Sequence, residues 1–229
     1  YKRFARALAI PEIGEDDVFL CYLPLFHTFG RYLEMLGCIF WGAKYCFLEN
    51  PSVEALVQGM RRHRPTVFIS VPKKWIQLYE AIALEAPPES SSDEAVLEAT
   101  RRLTGGRLRF GLSAAGHLDS SVFRFFQQQG IELMSGFGMT EATGGITMTP
   151  PGAYRDDSLG LPLPGIECRL GEDGELLIRG TYVTEGYLDP PEGEEGIGSD
   201  GWLRTGDLME KDHDGHIRRF TGNDYTKDL

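Results

Sequence analysis

Two hydrophobic periodicities alternate along the first two thirds of the chain. Short runs of apolar and β-branched residues predict strands at residues 18–23, 44–48, 66–71, 108–113 and 131–135. Apolar residues at helical spacing predict helices over residues 29–40, 52–60, 73–84, 93–103 and 120–129. Strands that alternate with helices in this order are typical of a parallel sheet that is covered by helices on both faces.

The pattern changes after residue 150, where the strand-like segments become shorter and alternate between apolar and polar positions. Residues 167–170 and 175–179 are two such segments, and a glycine-containing turn separates them. We therefore predict an α/β fold in two parts. Parallel-sheet layers covered by helices, over residues 1–157, are followed by a small antiparallel β subdomain over residues 158–222.

The net charge of the chain indicates which classes of ligand it can bind. The chain has 34 acidic and 23 basic side chains, a net charge of −11. Such a surface repels phosphate backbones, so we expect no nucleic-acid partner, and a polyphosphate substrate would require a local site with a divalent cation.

The four cysteines form no C-x-x-C pair, so we expect buried, reduced thiols in a cytoplasmic protein. The longest uncharged apolar run, residues 35–43, is too short to span a bilayer.

The segment after the predicted strand at residues 131–135 contains the groups that a nucleotide site requires. Its glycines let the backbone approach a ligand closely, and Phe137 offers a ring that can stack on a base. Thr140 offers a hydroxyl to a phosphate, and Glu141 offers a hard oxygen ligand to Mg²⁺. Ligands of open α/β sheets bind at the carboxyl ends of the strands, where this segment lies. The alternative is a glycine-rich turn in which Thr140 and Glu141 merely begin the next helix.

Four other segments carry candidate chemistry, each with a structural alternative. Small residues at 113–116 follow a strand and either leave room for a flat ligand or allow a helix to pack closely. Asp207, beside a glycine, either accepts both hydroxyls of a ribose or lies in an ordinary turn. His27 follows a strand among aromatic residues, where an imidazole is more often a core residue than a catalyst. Residues 212–216 contain two Asp and two His without calcium-loop spacing, so we predict a hairpin turn there.

The order of five segments resembles that of the adenylate-forming, or AMP-binding, superfamily, which includes acyl-CoA synthetases, peptide-synthetase adenylation domains and luciferases. The segments similar to its motifs are Leu23-Pro24-Leu25-Phe26-His27, Ser113-Ala114-Ala115-Gly116, Gly136-Phe137-Gly138-Met139-Thr140-Glu141, residues 174–180 with Gly186-Tyr187, and Thr205-Gly206-Asp207. Residues 70–79 are also similar to a stretch that is typical of long-chain fatty acyl-CoA synthetases. The resemblance covers nearly the whole chain.

The resemblance implies a reaction in which ATP, with Mg²⁺, converts a carboxylic acid to an acyl-adenylate, and CoA then accepts the acyl group. A fatty acid is the implied substrate. Thr140 would contact the ATP phosphates, Glu141 would bind Mg²⁺ and Asp207 would hold the ribose. Phe137, which stands where the family usually has Tyr, would stack on adenine, and His27 would line the route of the acyl or pantetheine group. The other residues expected to border the nucleotide are Ser113, Ala114, Ala115, Gly116, Gly136, Gly138 and Met139.

The chain also differs from the family pattern. The family's phosphate loop would precede Tyr1 and its C-terminal lid domain would follow residues 223–229, the start of the hinge. We therefore expect a piece of the large N-terminal domain that is inactive by itself. The family sequence Gly-Arg-x-Lys-Asp is replaced here by Gly222-Asn223-Asp224, so the Arg that helps to hold the ribose is absent. Either Arg218 or Arg219 substitutes for it, or the hinge has diverged. A fatty-acid substrate would also suit a peripheral association of the complete protein with a membrane.

Two other functional classes remain open from the sequence. The residues that match the chain order of an α/β-hydrolase triad are Ser113, Asp207 and either His213 or His216. The nucleophile elbow of such an enzyme requires a glycine two positions after the serine, where this chain has Ala. The altered segment around Asn223 favours a third class, a non-catalytic binding or regulatory module on the adenylation scaffold.

Overall fold

Apolar, β-branched and aromatic residues form five strands in the first two thirds of the chain, as their runs predict. The strands are Val18–Cys21 (β1), Lys44–Phe47 (β2), Val67–Ser70 (β3), Phe110–Ser113 (β4) and Glu132–Met139 (β5). The structure is a computed structural model, and it describes residues 9–10, 12–189, 197–198 and 200–219. The predicted strands are therefore confirmed, with small differences at their ends.

Helices connect these strands at the predicted places. They are Leu36–Trp41 (α1), Val53–His63 (α2), Pro72–Glu85 (α3), Asp93–Thr104 (α4) and Ser120–Gln128 (α5). The hydroxyl of Ser52 caps α2 by accepting a hydrogen bond from the Ala55 N–H at 3.2 Å. The single helix predicted over residues 29–40 is instead a π-helix, Phe29–Met35, that continues into α1.

Six antiparallel strands follow the parallel ones. They are Gly144–Met148 (β6), Ser158–Pro162 (β7), Ile166–Leu170 (β8), Glu175–Gly180 (β9), Leu203–Lys211 (β10) and Ile217–Arg219 (β11). The sheet order is β2-β1-β3-β4-β5-β6-β7-β11-β10-β9-β8, with parallel pairing from β2 to β5 and antiparallel pairing beyond. The predicted α/β class is confirmed. The boundary at residue 157 stays a prediction, and residues 223–229 lie outside the described residues.

Strand β5 changes its pairing in the middle. Its first half pairs in parallel with β4, ending at Ser135, and its second half pairs antiparallel with β6 from Gly136 to Met139. The strand predicted from the sequence ends at residue 135, and the glycines that follow it are unfavourable inside a strand. A Cβ at position 138 would overlap the carbonyl oxygen of Gly144. Because Gly138 has no Cβ, β5 and β6 approach closely and pair, and the strand continues.

The two faces of the parallel strands pack against different helices. Trp75, Leu78 and Phe126 lie in the core beneath α2 to α5. A Cβ at Gly111 would lie 2.5 Å from the indole of Trp75, so glycine is needed for this packing. Phe19 and Leu112 lie in a second core on the face covered by the π-helix and α1. A third core joins the antiparallel strands.

The cysteines agree with the expected buried thiols except at Cys168. All four cysteines are free thiols; three are buried and Cys168 is half-buried. Within the described ranges, no helix combines the length and the apolar character needed to cross a bilayer.

Candidate functional site

A cavity of about 1100 Å³ opens at the carboxyl ends of the parallel strands and brings together most of the predicted site residues. Ser70, Ser113 and Ser135 are neighbours across β3, β4 and β5, so the segments that follow these strands meet at one edge. The predicted residues that line the cavity are His27, Ala114, Ala115, Gly116, Gly136, Phe137, Gly138, Met139, Thr140, Glu141 and Asp207.

Ser113 is the predicted site residue that the structure places elsewhere. Its side chain is buried, and its hydroxyl has no hydrogen-bond partner among the described residues. Because β4 extends through Ser113, successive side chains point to opposite faces, and Leu112 faces the cavity instead. Ser113, which the sequence places in the loop bordering the nucleotide, therefore directs its hydroxyl away from the cavity, while Ala114, Ala115 and Gly116 line it.

The Thr140-Glu141 segment forms a short 3₁₀-helix, Thr140–Ala142, as its structural alternative suggests, and it also lines the cavity. A second segment holds this turn in place. The Thr184 N–H donates to the carbonyl of Glu141 at 2.7 Å, and the hydroxyl of Thr143 donates to the carbonyl of Tyr182 at 3.0 Å. The phenol of Tyr187 donates to Oε1 of Glu141 at 2.7 Å.

Tyr187 is not among the site residues predicted from the sequence. It belongs to a motif in the resemblance, but it lies 46 residues from Glu141, and no periodicity or spacing indicates their contact. His117 was also missed, although it lines the cavity directly after the alanine-rich loop. Ala115 in that loop has a φ of 60°, a left-handed conformation that is uncommon outside glycine.

Asp207 is presented by an irregularity in β10. The register between β9 and β10 shifts between Arg204 and Leu208, and Gly206 has a φ of 74°. The Gly206 N–H donates to Oε1 of Glu175 at 2.8 Å, which holds the bulge against β9. The exposed side chain of Asp207 therefore lies at the cavity, and the hydrogen bond to Glu175 fixes the backbone beside it.

His27 lies exposed at the cavity rather than in the core. Its backbone N–H donates to the carbonyl of Pro24 at 3.1 Å, and its Nδ1 accepts from the Phe29 N–H at 3.1 Å. In the neutral ring, the proton is then on Nε2, which is the nitrogen left for a ligand.

The cationic residue Arg219 lines the same cavity. Arg219 pairs with Met209 across β10 and β11, and it is the only Lys or Arg in the lining among residues 9–10, 12–189, 197–198 and 200–219. Its neighbour Arg218 approaches Asp212, with 3.5 Å between Nη2 and Oδ2. Of the two arginines that the sequence left open, Arg219 has the position suited to a nucleotide.

The other part of the cavity is apolar and extends along the sheet away from these polar groups. Its lining residues include Ile10, Ile13, Phe29, Leu33, Trp41, Val67, Ile69 and Phe110. Phe19, Val67 and Phe110 are neighbours across β1, β3 and β4 near the amino ends of these strands. The cavity therefore follows one face of the sheet from its carboxyl edge towards its amino edge.

The segment 212–216 is a hairpin turn, as predicted. The Asp212 N–H donates to the carbonyl of His216 at 3.0 Å, and the described residues contain no cluster of acidic, His or Cys side chains suited to a metal. The imidazole of His216 is buried, and its Nδ1 lies 2.8 Å from the hydroxyl of Ser158. Burial also lowers the pKa of His216.

These contacts do not form the serine hydrolase arrangement. His216 pairs with Ser158, and His213 is exposed beside Asp214, 3.3 Å from Nε2 to Oδ2. Ser113 lies on the opposite face of its strand from the cavity lined by Asp207. The α/β-hydrolase alternative is therefore not favoured.

The chain is similar to known proteins over nearly its whole length. A family model described as AMP-binding enzyme matches residues 3–188. The long-chain-fatty-acid–CoA ligase FadD15 of Mycobacterium bovis is 26% identical, over 93% of this chain and 40% of that protein. The putative fatty-acid–CoA ligase fadD11 of Mycobacterium tuberculosis is 40% identical, over 56% of this chain and 23% of that protein.

Solved structures have the same fold. A malonyl-CoA ligase in a ternary product complex with methylmalonyl-CoA and AMP aligns with a TM-score of 0.76 and 27% identity, over 96% of this chain and 46% of that one. An o-succinylbenzoate CoA synthetase of Bacillus subtilis, in complex with ATP and magnesium ion, aligns with a TM-score of 0.75 and 22% identity, over 95% of this chain and 44% of that one. The chain thus spans less than half the length of these proteins.

Proposed function

The chain belongs to the family of AMP-binding enzymes, and from this membership we propose that the complete protein activates a carboxylic acid with ATP and transfers the acyl group to CoA. The observation that carries the proposal is the shared cavity. One space contains a Thr-Glu pair suited to a metal-bound phosphate, an aspartate suited to a ribose, and an apolar extension suited to an alkyl chain.

In this proposal the predicted residues of the cavity each contact one part of the nucleotide. Phe137 stacks on adenine, Asp207 accepts from the ribose hydroxyls, and Thr140 donates to a phosphate. Arg219 takes the place of the ribose-holding arginine that is absent beside Asn223, and it also neutralises part of the phosphate charge. Ala115 and Gly116 border the adenine and the acyl group.

The residues present fit Mg²⁺. Glu141 and Thr140 offer hard oxygen atoms, and Mg²⁺ in nucleotide sites is typically held by one or two carboxylates together with substrate phosphates. When bound, the cation would neutralise charge that develops on the phosphate oxygens. The carboxylate of Glu141, at the cavity and hydrogen-bonded through Oε1, is the residue that would hold it.

The proposed reaction has two steps. A carboxylate oxygen of the acid attacks the α-phosphorus of ATP, the bond to the pyrophosphate oxygen breaks, and an acyl-adenylate forms. The CoA thiolate then attacks the acyl carbon, and AMP leaves with the electron pair of the acyl–oxygen bond. The protein contributes mainly by positioning the reactants and neutralising charge. His27, at the exposed mouth, lines the route of the acyl or pantetheine group.

The apolar extension supports a fatty acid as the substrate. Its lining is aliphatic and aromatic, and it contains no Lys or Arg among the described residues that would pair with a second carboxylate. The names of the similar fatty-acid–CoA ligases agree with this class. We further propose a cytoplasmic location.

Carboxylate-dependent exchange between ATP and pyrophosphate tests the proposal. The complete protein would be assayed with acids from acetate to palmitate, and wild type would be compared with Glu141→Ala. Exchange that favours one range of chain length and is lost in the variant is expected. An absence of exchange with every acid would replace the proposal with the non-catalytic module on the same scaffold.

A further inference from the structure

The contact between Tyr187 and Glu141 joins two segments that are distant in sequence. The phenol oxygen lies 2.7 Å from Oε1 of Glu141. Two further hydrogen bonds connect the same segments, from the Thr184 N–H to the Glu141 carbonyl and from the Thr143 hydroxyl to the Tyr182 carbonyl. These two hydrogen bonds hold the backbone of the turn, whereas the phenol contacts the carboxylate itself.

The exposure of Tyr187 indicates that this contact is not simply core packing. The residue is 48% exposed, in contrast to Tyr182 in the same segment, which is 8% exposed. The phenol donates this hydrogen bond, because an ionised carboxylate can only accept.

A hydrogen bond to one oxygen of a carboxylate has a definite consequence for a cation site. It fixes the orientation of the group, so that less side-chain freedom is lost when a cation binds. It also uses one lone pair of Oε1, so that Oε2 keeps more acceptor capacity for a cation. Groups that orient a metal ligand in this way typically change metal affinity by about 10- to 100-fold.

We propose that Tyr187 is a positioning residue that orients the carboxylate of Glu141 for a divalent cation and thereby sets the cation affinity of the nucleotide site. This inference rests on the proposed function, because it takes Glu141 as the cation ligand. It adds a residue outside the polar groups assigned above, and it makes the segment containing Tyr187 part of the nucleotide site.

The test measures cation binding rather than turnover. Binding of Mn²⁺ to the complete protein, in the presence of a non-hydrolysable ATP analogue, would be followed by electron paramagnetic resonance. Binding of the analogue in EDTA would be measured separately by calorimetry. The variants are Tyr187→Phe, which removes only the donor, and Glu141→Gln. The matched control is Tyr182→Phe, whose lost hydroxyl contacts the carbonyl of Pro164 at 3.0 Å instead of Glu141.

We expect Tyr187→Phe to weaken Mn²⁺ binding by about 10- to 100-fold, with little change in analogue binding in EDTA. Tyr182→Phe should leave Mn²⁺ affinity unchanged. Unchanged Mn²⁺ affinity in Tyr187→Phe, with binding lost in Glu141→Gln, overturns the role of Tyr187 alone. Mn²⁺ binding that survives in Glu141→Gln overturns both this inference and the assigned cation ligand. An equal loss of analogue affinity in EDTA also overturns the inference, because the effect would then be on the general structure of the site.

Discussion

The indole of Trp41 stacks on the ring of Phe19, with their centroids 5.8 Å apart and an angle of 20° between the ring planes. Trp41 ends α1 and lines the apolar part of the cavity, while Phe19 lies in β1 beside Val67. This pair lies near the amino ends of the parallel strands, far along the cavity from the nucleotide motifs. Trp41 therefore bounds the apolar part of the cavity, which the proposed function assigns to the alkyl chain of the acid.

Replacing Trp41 with leucine should shift the preference of the complete protein towards longer acids. The smaller side chain extends the apolar space while remaining hydrophobic. The expected result is a kcat/KM that rises several-fold for the longest acids relative to the shortest ones, measured by pyrophosphate exchange. Ile39→Leu is the control, because Ile39 belongs to the same helix but is 68% exposed. If kcat/KM depended on the chain length of the acid in the same way in both variants, Trp41 would not determine the chain-length preference.

Removing the Glu34 carboxyl should stabilise the protein at alkaline pH. Glu34 lies fully buried in the π-helix near Leu23 and Cys21, and burial raises its pKa to about 9. The folded state therefore holds a proton that the unfolded state releases above its ordinary pKa of 4.5. This contribution to stability is fully present below pH 4.5 and is lost as the pH rises towards 9, by at most about 5 kcal/mol at pH 8.

The measurement is the unfolding free energy of wild type and Glu34→Leu between pH 5 and pH 9. The unfolding free energy of the variant should increase relative to that of wild type as the pH rises, because the variant has no carboxyl to ionise. Glu98→Leu, at an exposed position of α4, is the control and should follow wild type. Parallel curves for wild type and Glu34→Leu would contradict the assigned protonation of Glu34.

Arg219→Ala should weaken ATP binding by about 10- to 100-fold, because a hydrogen bond to a charged group contributes about 1.5–3 kcal/mol. Arg218→Ala removes the same charge from the neighbouring position, where the side chain approaches Asp212 outside the cavity. It should therefore change KM for ATP much less. Equal effects of the two variants on KM for ATP would show that only general electrostatic attraction is involved.

Ser113→Ala should leave pyrophosphate exchange and stability nearly unchanged. The hydroxyl is buried without a hydrogen-bond partner in the described part of the chain, so its loss costs little or slightly stabilises the fold. A nucleophilic or nucleotide-binding hydroxyl would instead make the variant strongly defective. Assays of the complete protein alongside Glu141→Ala distinguish these outcomes, since only the latter should lose activity.

Sequence patterns with a short range predicted most of the fold. The runs at β1 to β4 and the helical spacing of α2 to α5 were placed within a few residues, because each reflects the side chains of one element. The turn at residues 212–216 is also local and was predicted correctly. The features that the sequence did not predict depend on contacts with residues that are distant in the chain. Gly136 to Met139 form a strand only because β6 pairs with them.

The candidate site shows the same division. The sequence by itself determined the order and chemistry of the motifs, including Thr140, Glu141 and Asp207. This was possible because the groups within each motif are adjacent in the chain. Only the tertiary structure decided that Ser113 faces away from the cavity, that Arg219 rather than Arg218 lines it, and that Tyr187 contacts Glu141. The physical reason is that side-chain direction and long-range contact follow from strand register and packing, which join residues that no local pattern connects.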